Sequence, residues 1–67
     1  MKNSEVEEIR EECRAHVESQ LDLHFCSIAE DFDVEYGDIT PDQAFRLSKI
    51  NELLTELSVE YVIQNTK

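Results

Sequence analysis

The sequence predicts an all-α fold, a two-helix antiparallel hairpin that doubles into a homodimeric four-helix bundle. Three observations carry that expectation. The segment Tyr36-Gly37-Asp38-Ile39-Thr40-Pro41-Asp42-Gln43 ends one helix and starts another. Apolar residues recur every three or four positions on both sides of it. The single Gly and single Pro of the 67-residue chain both fall inside it, so nothing interrupts either helical stretch.

The first helix is expected over about residues 4–36. Ser4 followed by Glu7 reads as a capping box, and Gly37 supplies the left-handed residue that commonly closes a helix. Val6, Ile9, Cys13, Val17, Leu21, Phe25, Ile28 and Phe32 form one apolar stripe, with Glu5, Glu8, Glu11, Glu12, Glu18, Asp22 and Asp33 opposite. Gln20 and His24 fall inside the stripe; Leu23 and Cys26 fall outside it.

The turn is expected at 37–40 and the second helix over about 41–64. Thr40-Pro41-Asp42-Gln43 gives an N-cap, an N1 proline, an acidic N2 and a capping-box Gln, with Ile39 able to staple onto Ala44. Gln43, Leu47, Ile50, Leu54, Leu57 and Tyr61 make its stripe, with Leu53 beside them. Ser58-Val59-Glu60-Tyr61-Val62-Ile63 alternates and is β-branched, which locally favours strand. Helix is expected there because the stripe runs on through Tyr61 and a lone strand would have no partner.

A single domain of this size buries only about 60 % of its unfolded surface, so a partner is expected. Helix one would also extend six to nine residues past helix two, leaving Val6 and Ile9 uncovered unless a second copy lies against them. The dimer interface is therefore expected at Val6, Ile9, Cys13, Gln20, His24, Leu54 and Tyr61, with Gln20 and His24 fixing the register as buried polar residues.

Net charge is −10, and residues 1–38 carry −9 of it, from twelve acids and three bases. That field repels nucleic acid and anionic membrane and favours basic protein surfaces, so direct nucleic-acid binding is not expected. No apolar run is long enough for a membrane span and no hydrophobic leader precedes the first helix, which points to a cytoplasmic protein. Cys13 and Cys26 would sit about 20 Å apart on one helix, out of disulfide reach and reduced.

No catalytic residues, cofactor or metal site are expected. Cys13, His16, His24 and Cys26 are zinc-ligand types, yet their spacing spreads them along and around one helix. Asp31, Asp33, Glu35, Asp38 and Asp42 mimic an EF-hand loop, but its glycine position is Tyr36 and its bidentate Glu position is Asp42. No nucleophile elbow or walled pocket accompanies the Ser, His and Asp residues. Partner-binding candidates are Glu11, Glu18 and Asp22, which share about 40° of arc and could mimic a phosphate backbone. Phe45, Val59 and Ile63 project away from the stripe of helix two and form a second set.

The segment Tyr36 to Leu47, then Ile50-Asn51-Glu52-Leu53-Leu54-Thr55-Glu56-Leu57 and Gln64-Asn65, resembles small acidic proteins encoded by bacteriophages of Gram-positive bacteria. The resemblance covers residues 25–65 and centres on a Gly-Asp-Ile-Ser/Thr-Pro turn. It carries over no functional residues. It implies a viral origin and a host-bacterial cytoplasm, where such short proteins bind and disable host machinery. Together with the net charge and the acidic face, the expected function is to bind and inhibit a host protein with a basic surface, such as a defence nuclease or another nucleic-acid-handling enzyme. An oligomerisation module without an inhibitory role is the alternative.

Overall fold

A computed structural model describes residues 2–66. Two helices, α1 (Asn3–Asp31) and α2 (Pro41–Asn65), pack side by side in a body of 46 × 22 × 14 Å, and no strand occurs among the described residues. Arg10 meets Glu56 near one end, while Phe25 and Ala29 share a cleft with Leu47 and Ile50 near the other, so the pair is antiparallel. The segment from Ser58 to Ile63 is helical, as the continuing stripe required.

The start of α2 follows its sequence closely. Thr40 is extended, its hydroxyl accepts from the Gln43 N–H at 3.1 Å, and the Gln43 side chain accepts from the Thr40 N–H at 2.9 Å. This reciprocal box satisfies two N–H groups that a helix start otherwise leaves without partners.

Both ends of α1 differ from expectation. The helix begins at Asn3 with Lys2 as an N-cap lacking a side-chain cap bond, so Ser4 lies inside the first turn, where it cannot act as the cap. Glu7 reaches forward to Arg10 at 3.3 Å instead of back to a cap. At the other end the helix stops at Asp31 rather than near residue 36. Asp33 takes the left-handed conformation (φ 53°), its N–H donates to Glu30, and the Val34 N–H donates to Ala29 at 2.9 Å. Those two bonds form a Schellman cap, and Asp tolerates the left-handed region well enough to make it without glycine. Gly37 (φ 103°) serves a second turn within the longer connection, residues 32–40.

The shorter α1 removes most of the expected overhang. With 29 and 25 residues the helices are nearly matched, and Val6 and Ile9 are already half-buried in the single chain. Exposed large apolar side chains lie instead along α2, at Ile50, Leu53, Leu54, Leu57 and Tyr61.

The α1 stripe faces α2 as expected from Val6 through Phe25, with Ala29 replacing Ile28 and Phe32 at the lower end. The α2 stripe does not face α1. The residues in the seam are Asn51, Thr55, Ser58, Val59 and Val62, of which Thr55 is 1 % and Val59 3 % exposed. The Thr55 hydroxyl donates to the Asn51 side-chain oxygen at 3.2 Å and Ser58 donates to the Leu54 carbonyl at 2.8 Å, and no buried side-chain nitrogen or oxygen among the described residues lacks a partner. Leu54 and Tyr61, expected inside, are turned outward with Ile50, Leu53 and Leu57.

Candidate partner-binding surfaces

Helical geometry divides the outside of the hairpin into two flanks, one on each side of the α1–α2 seam. On the first, α2 presents Leu47, Ile50, Leu54, Leu57 and Tyr61. The α2 part of this flank is apolar from Leu47 to Tyr61. Near the open end, Leu57 and Tyr61 border a cleft with Cys13 and His16 of α1. Near the connection, Leu47 and Ile50 border a second cleft with Phe25, Ile28 and Tyr36. Leu53, Leu57 and Tyr61 are 72 %, 62 % and 68 % exposed, an unusual outward placement for the strongest apolar residues of a helix.

Helical spacing sets Gln20 and His24 of α1 on this same side, close to Cys13 and Val17. Both are exposed in the single chain, as is His16, and the His24 and Phe25 rings meet edge to face at 5.1 Å. Of the residues expected at the dimer interface, Gln20, His24, Leu54 and Tyr61 are exposed on this flank, the last two because their stripe is rotated outward, whereas Val6, Ile9 and Cys13 are half-buried against α2.

The second flank is acidic. Glu11, Glu18 and Asp22 are all exposed there, and Glu18 borders a shallow polar cleft with Glu52 and Glu56 of α2. The two α2 carboxylates join a surface that the sequence assigned to α1 alone. Positive charge also enters it. Arg10 spans the helices to grip Glu56 with two bonds, 2.8 and 3.1 Å, and Arg14 lies in the same cleft. The paired bonds raise the Arg10 pKa and hold Glu56 below the usual carboxylate range, with desolvation opposing and Arg14 adding a smaller attraction to Glu56. This pairing required knowing the interhelical register, which Glu7–Arg10 spacing alone does not reveal.

Asp22 has a second occupation. The Tyr36 hydroxyl donates to its carboxylate and ties the connection back onto α1. That hydrogen bond to an anion, with desolvation and the nearby negative charge as smaller causes, pushes the phenol from its ordinary value up to about 12. Among the described residues, Glu11 and Glu18 enter no ion pair, so these two present their charge unshared.

The second expected partner set divides. Phe45 is exposed and carries the Lys49 ammonium 5.5 Å from its ring centroid; Ile63 is partly exposed. Val59 lies in the α1–α2 seam and is no surface residue, because the seam is rotated by roughly 100° from the stripe assumed in sequence. Cys26, expected on the exposed side, is half-buried, as is Cys13, and both are free thiols. Among the described residues no three His, Cys, Asp or Glu side chains converge as a metal site needs, and no helix is long and apolar enough to cross a membrane.

Compared with known proteins, the chain matches no family model, no curated protein and no solved structure.

Proposed function

We propose that this protein is a non-catalytic binding module in which two copies assemble into a four-helix bundle and each offers its acidic flank to a basic surface on a host protein. The observation that carries the reading is the separation of the two flanks: apolar residues that need covering lie on one, and Glu11, Glu18 and Asp22 with Glu52 lie on the other. Assembly on the first leaves the second open. A carboxylate every 6–10 Å or so along the α1 rod offers an array similar in sign and spacing to a phosphate backbone. The class of partner supported is a nucleic-acid-handling enzyme, such as a defence nuclease, whose basic groove such an array fits. The resemblance to phage proteins supplies the setting, a Gram-positive host cytoplasm, and inhibition by occupying that groove is the corresponding mechanism.

Host lysate passed at low salt over immobilised parent protein and over the triple variant E11Q/E18Q/D22N tests this. The expectation is a host protein retained by the parent, released by salt and lost in the variant, because exposed charge attraction is screened within about 8 Å at physiological ionic strength. Identical retention by the two proteins would sink the acidic-face mechanism. It would favour the second reading, an oligomerisation module, which draws on the exposed apolar flank alone.

A further inference from the structure

The homodimer of the preceding reading leaves open which faces meet and in what register. We infer that two copies pair antiparallel through α2, about a twofold axis level with residue 52.

Surface area argues that the occupant of the apolar flank is large. The chain exposes 5708 Å², whereas a compact monomer of 7.8 kDa exposes about 4,400 Å². The surplus of about 1,300 Å² exceeds the roughly 800 Å² that each partner contributes to a standard stable interface.

Spacing gives the register. Leu47, Ile50, Leu54, Leu57 and Tyr61 step by three, four, three and four, the heptad seam of a coiled coil, and this seam stands roughly 110° around α2 from the α1 contact. In an antiparallel pair centred on residue 52, Ile50 meets Leu54 of the second copy, Leu47 meets its Leu57, and Gln43 meets its Tyr61. Every interior layer is then apolar, and the polar side chains fall at the two ends. Leu53 meets Leu53 across the axis.

Charge selects the same arrangement. The positions bordering the seam on the α1 side are Ala44, Asn51 and Ser58, which are small and uncharged; those on the other side are Arg46, Leu53 and Glu60. Antiparallel pairing sets Arg46 of each copy near Glu60 of the other, whereas parallel pairing would set both against uncharged positions, Asn51 and Asn65, and gain no ion pair. Arg46 is exposed and already held loosely by Asp42 at 3.3 Å, so its guanidinium can serve both carboxylates. On α1, Gln20 is level with residue 52 and on the same flank, which places a polar side chain beside the twofold where it can specify register.

The test is the dimer dissociation constant of the full chain, measured by sedimentation equilibrium for the parent, Leu57→Asp, Arg46→Glu, Glu60→Arg and the double reversal R46E/E60R. Leu57 is outside the α1 contact, so Leu57→Asp should retain helix content yet weaken the dimer about 100-fold or more. Each single reversal should weaken it about tenfold, and the double should return close to the parent. Residues 46 and 60 lie about 21 Å apart along one helix, so such a rescue arises only between chains. A parent dimer that survives Leu57→Asp, or shows no rescue in the double, overturns this register while leaving the homodimer intact. A parent that stays monomeric at micromolar concentration overturns both.

Discussion

Tyr36 is the residue through which the connection is fastened to α1, and its bond to Asp22 has a pH signature. Its folded pKa of about 12 lies above the unfolded phenol value near 10, so the bond contributes fully below about pH 10 and is lost as pH rises past about 12. A phenolate absorbance titration should show one tyrosine ionising near 12, and Asp22→Ala should bring that transition back toward 10. An unchanged titration in Asp22→Ala would dissolve the contact. Asp33 makes a second residue-scale case. It holds the left-handed position of the α1 cap without glycine, so Asp33→Gly should stabilise the chain by about 0.5–1 kcal/mol in a urea melt. Gly37 was the residue legible as left-handed in sequence; Asp33 was not, because Asp signals helix starts and turns more often than helix ends.

At the scale of elements, α2 explains what sequence reading reached and what it missed. Its start was fully legible, since Thr40, Pro41 and Gln43 act through local bonds that need no knowledge of the rest of the chain. Its apolar stripe was legible as a stripe. Its direction was not, because pattern reading assigns the most apolar face to the nearest partner, and here the nearest partner receives Asn51, Thr55, Ser58 and Val59. Those residues also recur at helical spacing, a weaker signal hidden under the leucines. Stability separates the two faces. Val59→Ala should cost about 2 kcal/mol at any protein concentration, since it opens a hole inside one chain. Leu54→Ala should cost about 2–4 kcal/mol only where the protein is dimeric, and much less on dilution. Thermal melts over a hundredfold range of concentration distinguish them; a concentration-independent loss at Leu54 would place that residue in an intrachain core after all.

For the whole molecule, the interactions proposed for the two flanks should differ in salt response. Mainly apolar pairing through α2 in a chain of net charge −10 should change little with salt, because screening of the repulsion between copies offsets the weakening of the Arg46–Glu60 pairs, while engagement of a basic partner should weaken steeply. The acidic surface was legible from charge alone, yet its extension onto Glu52 and its dilution by Arg10 and Arg14 follow from how α2 registers on α1. The claim beneath all of this is that the hairpin is half of an assembly. Sedimentation equilibrium of the unmodified chain at micromolar concentration tests it most directly. The expected result is a mass of twice 7.8 kDa that does not fall as salt is added; a single-chain mass with cooperative melting retained would contradict it.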